Sequence, residues 1–589
     1  MSPVAQPRHT QIQPSAIRRQ LEKIAAHGLF ARSDRMARFL RLAVERTLDG
    51  TADELKEYLI GVEVFDRPAS YDPRVDPIVR VEARRLRSKL KAYYEGDGQQ
   101  DAVIFEFQTG TYAPEIRLRE DGVPGAPQPE SNTVAVLPFA NLSASAENDY
   151  FSDGLTEELI HALTKFSGMR VVAWNSAARL RGVEQDVLEV RRQLRVANVL
   201  TGSVRIAGSS LRVRVQLIDT ATGVYLWSET FDREMQDVFA IQEDIARAIV
   251  RTLRVQLAGG TEADLVARSR PTVSSYDYYL KGRYHLHRRT PEELERSLQN
   301  FQAAVAADPG SALAYAGMAD AYCLQVDYGM LHPADGFPKS RAAATRAIEL
   351  DAGLAEAYPS MAVIRAHWDR EWADSERLYR KAIALNPGYA TAHHWLSTDF
   401  LALVGRLDEG LAEIEIALEL DPLSSIIRDG RVSFSIMLRR YDEAVRGYQE
   451  LIEFDPTFYK AYTQMGRAYA QLGRYSEALA MLQKGRSLAG DVPNVMAAIG
   501  QVFGLSGDEA SARGVLAQLT ARAQDRYIPC TCFALVHLGL GEKERALEWL
   551  EKGCEQRDLP MAMAKVHPIY DPLRGEPRFQ NILRTMRFP

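Results

Sequence analysis

Cationic side chains recur at helical spacing between positions 78 and 94 of this 589-residue chain. The run contains one acid, Glu82, and six bases: Arg80, Arg84, Arg85, Arg87, Lys89 and Lys91. The bases at 80, 84, 87 and 91 follow one another at three or four residues, so they form a stripe along one face of a helix. Guanidinium groups at one-turn spacing suit successive phosphates and base edges. The pattern predicts duplex DNA as a partner and these six bases as its candidate contacts.

The same helix carries an apolar stripe on another face. Its members are Val79, Ala83, Leu86, Leu90 and Tyr93. This spacing predicts a face that packs against a core. Asp76-Pro77 supplies an N-cap and a first-turn proline, so the helix is expected to run from residue 78 to about residue 94.

A solvated face is the alternative interpretation of the basic stripe. Its arginines would then pair with Asp72, Asp76 or Glu82, and charge runs often indicate no more than exposure to water. The sequence offers little else that suggests a reaction centre, since no glycine-rich phosphate loop, nucleophile elbow or His-Glu-x-x-His motif occurs in it.

Residues 15–120 are predicted to form a small domain around this helix. Apolar periodicity predicts further helices at 15–27, 33–49 and 55–61, and residues 103–107 and 111–114 suggest a short β-ribbon. The run Val79-x-Val81-x-x-Arg84-Arg85-Leu86-Arg87-x-Lys89-Leu90, with Thr109-Gly110-Thr111-Tyr112 as a wing, resembles the effector domain of OmpR-type and CadC-type transcription regulators. The resemblance implies a winged helix-turn-helix whose basic helix enters the major groove, although residues 55–77 are longer than the family's helix-turn spacing.

A second domain is predicted at residues 133–258, between linkers at 121–132 and 259–272 that are rich in Pro and Gly. The pattern predicts a strand at 133–139 and a helix at 153–166 capped by Ser152 or Asp153. A hairpin of 199–207 and 211–217, a third strand at 224–230 and a helix at 238–257 follow. An α+β domain with an antiparallel edge results.

Three motifs of this domain are similar to the TolB-type amino-terminal domain. They are Val136-Leu137-Pro138-Phe139-x-Asn141-Leu142-Ser143, Phe151-Ser152-Asp153-Gly154-Leu155-Thr156-Glu157 and Leu200-Thr201-Gly202-Ser203-Val204. Members of that family are often periplasmic or joined to a membrane anchor. Neither the residues nor the resemblance identifies a ligand for this domain.

The C-terminal half repeats with a step of 34 residues. A glycine-led tag places Arg406, Arg440, Arg474, Asp508 and Glu542 at equivalent positions, and Asp-Pro or Asn-Pro pairs interleave with it at 308, 386, 421 and 455. This period is typical of stacked helix-turn-helix units, and the chain here resembles the tetratricopeptide family. Glycine is expected in the turn between paired helices, and the small residues Gly410, Ala444, Ala478, Ala510 and Ala546 are expected where the helices approach closely.

The repeats are predicted to form a helical solenoid of about eight units over residues 273–557. Residues 558–589 are expected to cap its last pair, and the groove of the solenoid is expected to bind a protein or peptide. The fold class is therefore multidomain and mainly α, with an α+β TolB-like domain and a winged helix-turn-helix head.

Composition agrees with an ordinary soluble protein. The formal net charge is −6 and charged residues make up 25%. Cys323, Cys530, Cys532 and Cys554 suggest a reducing compartment without a disulfide framework. Residues 1–14 are expected to be disordered and lack the apolar core of a signal peptide, so we expect a cytoplasmic protein that does not enter a membrane.

Two histidine pairs, His285-x-His287 and His393-His394, are candidate metal ligands. Neither has a cysteine or carboxylate at ligand spacing, so no metal and no cofactor is expected. The sequence thus predicts a non-enzymatic regulator that binds DNA through its head and a protein through its solenoid. The alternatives are a scaffold without DNA binding and, with less support, an accessory protein related to class III adenylate cyclases that lacks their catalytic domain.

Overall fold

The computed structural model describes residues 14–31, 34–68, 70–98, 101, 103–107, 111–118, 132–143, 145, 148–166, 168–182, 187–253 and 272–589. The predicted disordered N-terminus and the two predicted linkers fall almost entirely outside these residues. The chain divides into two compact units, Met1–Gln128 and Pro129–Pro589.

The N-terminal unit is helical with a two-stranded ribbon at its end. Its elements are α1 (Pro14–Ala26), α2 (Gly28–Ala31), α3 (Asp34–Leu48), α4 (Glu57–Glu63), α5 (Ile78–Glu95), β1 (Val103–Glu106) and β2 (Glu115–Leu118). One core joins them and includes Phe30, Phe39, Phe65 and Phe105, each at most 2% exposed. The helices predicted at 15–27, 33–49, 55–61 and 78–94 correspond to α1, α3, α4 and α5, whereas α2 was not predicted.

The ribbon differs from the prediction in its second strand. β1 and β2 are antiparallel, with Val103 opposite Leu118 and Glu106 opposite Glu115. The second strand therefore begins after Pro114 rather than at residue 111. Pro114 has no N–H to donate to a ladder, so pairing starts once it has been passed. The predicted wing residues Thr109 and Gly110 lie outside the described residues.

The second unit begins with a mixed sheet flanked by helices. Its elements are β3 (Thr133–Val136), β4 (Ala140–Asn141), α6 (Asp149–Thr164), β5 (Arg170–Val171), α7 (Trp174–Ala178), α8 (Val187–Leu194), β6 (Asn198–Ala207), β7 (Ser210–Asp219), β8 (Tyr225–Glu234) and α9 (Val238–Thr252). The strand order is β5-β3-β6-β7-β8, and β4 also pairs with β6. β3 pairs in parallel with β5 and with β6, and β4 pairs in parallel with β6, whereas β6, β7 and β8 form an antiparallel meander.

Helix α6 begins four residues earlier than the sequence predicted. It starts at Asp149 after Asn148, so Ser152 and Asp153 lie inside the helix and do not cap it. Gly154 lies inside the helix and is a contact residue. A Cβ there would stand 2.6 Å from the side chain of Leu280. The glycine thus permits close helix packing in mid-helix.

The rest of the unit is a stack of helix pairs. Within residues 272–589 the helices are α10 (Val273–Leu286), α11 (Pro291–Ala307), α12 (Ala312–Asp327), α13 (Pro333–Leu350), α14 (Ala357–Val363), α15 (Trp372–Leu385), α16 (Ala390–Leu396), α17 (Ala402–Val404), α18 (Leu407–Leu420), α19 (Ser425–Met437), α20 (Tyr441–Phe454), α21 (Tyr459–Gln471), α22 (Tyr475–Ala489), α23 (Pro493–Leu505), α24 (Glu509–Arg522), α25 (Cys530–Gly539), α26 (Lys543–Gln556) and α27 (Pro577–Thr585). Each of α14 and α16 continues into a π-helical segment, Ile364–Asp369 and Ser397–Leu401. The architecture is mainly helical, with a small sheet region and tetratricopeptide-like repeats.

The turns between paired helices have the conformation that the repeat predicts. Gly405, Gly473, Gly507 and Gly541 have φ between +72° and +88°, and Arg439 occupies the equivalent position with φ +59°. This left-handed region costs glycine little. Arg439 adopts the same region although it carries a side chain.

One of the predicted close-approach residues is wrong. Ala444, Ala478 and Ala546 are fully buried, but Ala510 is exposed and Ala512 is the buried alanine of α24. Counting from the left-handed glycine explains the error. The buried alanine lies five residues after Gly473 and five after Gly541, and the same step from Gly507 leads to 512.

The C-terminal segment packs on the middle of the solenoid as well as on its last pair. Trp372 donates its indole N–H to the carbonyl of Met586 (3.0 Å), and its ring lies 4.9 Å from that of Phe588. Arg439, one of the turn residues, pairs with Asp571 at 2.7 Å. The segment 558–589 therefore contacts repeats more than a hundred residues away, which a terminal cap alone would not do.

The sheet domain and the solenoid share contacts along successive repeats. Residues between repeats form hydrogen bonds with the sheet domain. Asn386 bonds to Thr164 of α6 (3.0 Å), and Asp421 bonds to Asn175 and Ser176 of α7 (both 2.9 Å). Asp455 bonds to Arg179, which follows α7 (2.5 Å). These acids and this amide occupy the Asp-Pro and Asn-Pro positions of the repeat. The Asp-Pro and Asn-Pro positions, which the sequence explains as helix boundaries, thus also bind the sheet domain to the repeats.

Candidate nucleic-acid interface

Helix α5 buries the apolar stripe that the sequence predicted. Val79, Ala83, Leu86, Leu90 and Tyr93 are between 0% and 3% exposed. The helix begins at Ile78, whose backbone N–H donates to Asp76 Oδ1 at 3.1 Å. The predicted core face is confirmed, whereas the predicted cap is wrong in its position: Pro77 rather than Asp76 is the N-cap, and it makes no side-chain cap bond. The face of α5 opposite the buried stripe is directed away from the core.

Arg80 is held by neighbours within the unit. Its Nε donates to both oxygens of Glu57 at 3.0 Å, and an Nη donates to the carbonyl of Pro73 at 3.0 Å. The hydroxyl of Tyr112 donates to the same Glu57 at 2.8 Å. These contacts connect the start of α5 with α4 and with the segment before β2, and they fix the direction of Arg80.

Tyr112 also reports where the basic stripe lies. Burial raises the pKa of its phenol to about 12, together with the hydrogen bond to Glu57. The charges of Arg80 and Arg87 act in the opposite sense on that pKa. Arg80 and Tyr112 both donate to Glu57, so the start of the stripe lies beside the segment that leads into β2.

Two further predicted contacts are engaged inside the protein. Arg85 pairs with Glu82 at 2.6 Å. Lys89 donates to the carbonyl of Leu29 at 2.6 Å and stands 5.8 Å from the centroid of the Phe30 ring. The geometry makes both of them positioning residues of α5 as well as candidate contacts.

The alternative ion pairs within this unit are only partly present. Glu82 does hold Arg85, but Asp76 pairs with Arg67 at 2.8 Å and Asp72 with Arg74 at 3.9 Å. Those two acids therefore neutralise bases outside the stripe. Arg84 and Lys91 are exposed and Arg87 is half-buried, so the outward face of α5 keeps a basic surface.

Sequence reasoning missed Glu57 and did not consider Val81 as a surface residue. Glu57 lies 23 positions before Arg80, and no local pattern links the two. Val81 is 45% exposed beside the arginines. Its place on the outward face follows from counting the helix period from the buried Val79, so that signal was available.

At least one histidine of each pair contacts a carboxylate within the protein. His285 pairs with Glu293 at 2.6 Å, and His393 pairs with Glu413 at 2.7 Å. In the described part of the chain no three potential ligands meet in a group that could hold a metal ion. Among the described helices, none has the length and apolarity that crossing a bilayer requires.

Two family models match parts of this chain. Residues 130–249 match the model described as HilA/YgeH-like transcriptional regulator, second domain. Residues 436–502 match the tetratricopeptide repeat model. The first match covers the sheet domain, and the second covers the end of α19 through most of α23.

Similar proteins include a transcriptional regulator and a protein named as an adenylate cyclase. The chain is 25% identical over 332 residues to "Transcriptional regulator HilA" of Salmonella typhimurium, covering 56% of this chain and 58% of that protein. It is 36% identical over 212 residues to "Putative adenylate cyclase 3" of Rhizobium meliloti, covering 35% and 36%. The chain thus spans between about one-third and three-fifths of the length of these relatives.

Solved structures resemble the repeats at low overall similarity. The structure of YrrB, described as a TPR protein with an unusual peptide-binding site, is 21% identical, with a TM-score of 0.23, and the match covers 34% of this chain and 96% of that one. A score this low carries no argument about binding. Together, the matches and the fold show a chain that contains a HilA-like transcriptional-regulator domain and tetratricopeptide repeats.

Proposed function

We propose that this protein is a non-enzymatic transcriptional regulator that binds duplex DNA through α5. The observation that carries the proposal is the two-faced helix: one stripe is wholly buried, and the opposite face presents basic side chains of the predicted set. A helix held this way can lie in a major groove while its arginines contact phosphates and base edges.

The surrounding unit supports this role. Helices α1–α4, the basic helix and the antiparallel ribbon include the parts that a winged helix-turn-helix needs. Glu57 accepts from both Tyr112 and Arg80, so it links the segment before β2 to α5. The similarity of residues 130–249 to a regulator domain supports the same function from a separate part of the chain. We retain the OmpR-type and CadC-type comparison for the head and the TolB-type comparison for the sheet domain as parts of this proposal.

For the solenoid we propose binding of a protein or peptide. Tetratricopeptide repeats present helix faces of regular spacing to a partner. The chain would then act in the cytoplasm, with DNA at one unit and a protein at the other. The cyclase-named relative supplies no catalytic residue to this proposal, because its similarity spans only 36% of that protein.

The direct test is fluorescence anisotropy of a labelled duplex titrated with the full chain at two salt concentrations. DNA binding through phosphates should weaken steeply as salt rises, because bound counterions are released. Affinity weaker than about 10⁻⁴ M at low salt, below the range of non-specific DNA binders, would favour the scaffold alternative.

A further inference from the structure

A cavity of about 390 Å³ lies between the sheet domain and the first helix of the solenoid. Helix α6 forms one wall, and α7, the residues after it and α10 form the others. Small-molecule sites commonly enclose about 300–1,000 Å³ and lie at junctions between domains. The cavity shares no residue with the candidate DNA interface.

The α6 wall is acidic. Asp149, Asp153 and Glu157 follow one another at four residues, a rise of about 6 Å per step. One oxygen of each is already bonded: Asp149 to Asn141 (2.8 Å), Asp153 to Arg181, and Glu157 to Arg283 and His287. Within the described residues, the second oxygen of each carboxylate has no hydrogen-bond donor from the protein.

The facing wall is basic and aromatic. Arg181 and Arg288 line it, and the side chain of each is about half exposed, at 47% and 51%. Trp174 lies 6.2 Å from the ring of His287, and the guanidinium of Arg288 stacks 4.3 Å from the Tyr284 centroid. Donors and a flat apolar surface therefore line the same cavity as the carboxylates, and Arg181 is bonded to one of them.

The acids of the α6 wall differ in how well neighbouring positive charge offsets the cost of burying them. Burial raises the pKa of Asp153, and the charge of Arg181 offsets only part of that rise. Burial acts the same way on Glu157, but Arg283 and His287 hold its pKa well below the usual range. Asp153, which is only 6% exposed, has Arg181 as its cationic partner and is thus less fully compensated by positive charge than Glu157.

We infer that this cavity binds a small zwitterion of the α-amino-acid class. The ammonium group is received by the second oxygens of Asp149 and Asp153, and the carboxylate by Arg181 and Arg288. A simple anion would face three carboxylates, and a simple cation would face two arginines, whereas a zwitterion is complementary to both walls. Its side chain packs against Trp174, and the ligand joins the sheet domain to α10.

The inference is tested by isothermal titration calorimetry of the full chain with each common L-amino acid. For the one that binds most tightly, two half-ligands are compared: the amine without its carboxylate and the acid without its amine. Each half-ligand should bind at least about tenfold more weakly, since each loses one charge-assisted contact. Equal binding of either half-ligand would overturn the two-wall assignment.

Matched variants assign the walls. Asp149→Asn should weaken binding of the amino acid and of the amine but leave the acid unchanged, and Arg288→Gln should do the reverse, because these two lining side chains have different partners within the protein. Arg212→Gln, which removes an exposed ion pair with Asp232 on the sheet, should change none of them. Circular dichroism confirms that each variant is folded. Absence of binding by every amino acid at about 10 mM, or unchanged affinity in both cavity variants, would overturn the proposal.

Discussion

Asp101 anchors the basic helix from the far side of its unit. Its carboxylate accepts hydrogen bonds from Tyr93 at the end of α5 (2.6 Å), and from Gln20 and Lys23 of α1 (both 2.5 Å). The side chain is 4% exposed. Burial alone would raise the pKa of Asp101, but the three donors outweigh it and the pKa is lowered. The ionised form therefore stabilises the fold.

Asp101→Asn should destabilise the N-terminal unit in a pH-dependent manner. A carboxyl whose folded pKa lies below its unfolded value contributes its full stability above the unfolded pKa, near pH 4. That contribution disappears as the pH falls through the folded pKa. We expect a loss of about 2 kcal/mol at neutral pH, and a smaller difference between variant and wild type at about pH 2. Hydrogen exchange of the α5 amides measures both, and a pH-independent difference would contradict this account.

Leu86→Ala tests the buried face of the same helix. Leu86 is fully buried against the core of the N-terminal unit, so its truncation leaves a cavity. We expect a cost of about 2–5 kcal/mol, again seen as faster exchange of α5 amides. All six tryptophans lie between residues 174 and 549, so the tryptophan transition of the second unit should not move. An unchanged exchange rate would show that this face is not packed as described.

At the residue scale, the sequence predicted what depends on helical period. The burial of Val79 and Leu86 and the outward position of Arg84 follow from a repeat of 3.6 residues. The tethers of Arg80 and Lys89 were out of reach, because Glu57 and Leu29 lie 23 and 60 positions away. Such partners are brought together only by the tertiary fold.

At the element scale, the repeat fixes which positions tolerate bulk. Ala478→Arg should destabilise the second unit by several kcal/mol, roughly 3 or more, because a guanidinium would be forced into a fully packed position. The matched control is Ala510→Arg, at an exposed position near the start of another paired helix. It should cost within about 0.5 kcal/mol.

Tryptophan fluorescence during urea unfolding measures the stability of both variants. A clear shift of the midpoint for the variant at 478, with none for the variant at 510, supports the register set by the left-handed glycines. Equal effects in the two variants would mean that Ala512 is not the equivalent of Ala478.

Elements were predictable where a local signal marks their ends. The repeat helices follow from glycine turns and proline starts, and the meander β6-β7-β8 follows from alternation. The start of α6 was misplaced because Ser152 and Asp153 are residue types that favour an N-cap, although both lie inside the helix. Gly154 packs closely against Leu280, 126 positions away, and no local pattern indicates that contact. The second strand was predicted at 111–114, but Pro114 has no N–H for strand pairing, so β2 begins at Glu115.

At the scale of the whole molecule, the sheet domain and the helical repeats pack together as one compact unit, Pro129–Pro589. Asp421→Ala should lower its stability by about 1–3 kcal/mol, since Ser176 and Asn175 lose a buried acceptor. The matched control is Asp351→Ala, at the same point of another repeat, where the carboxylate accepts from the backbone of Gly353.

The two variants differ in what they release. Limited proteolysis should cut near α7 faster in the variant at 421 than in the variant at 351, because only the first loosens the sheet domain from the repeats. Equal protection in both would mean that the inter-repeat acids do not hold the second domain. The domain order was visible in the sequence, but this junction was not, because its contacts span more than 200 positions.

The central claim is that the outward face of α5 contacts DNA, and the salt dependence of binding tests it most directly. Anisotropy titrations over a series of salt concentrations give the slope of log affinity against log salt for the full chain, for Arg84→Ala/Arg87→Ala, and for the control Arg212→Ala. The account predicts that the double variant binds more weakly and that its slope falls by roughly one unit per lost phosphate contact, while the control matches wild type. Identical slopes for wild type and the double variant would contradict it.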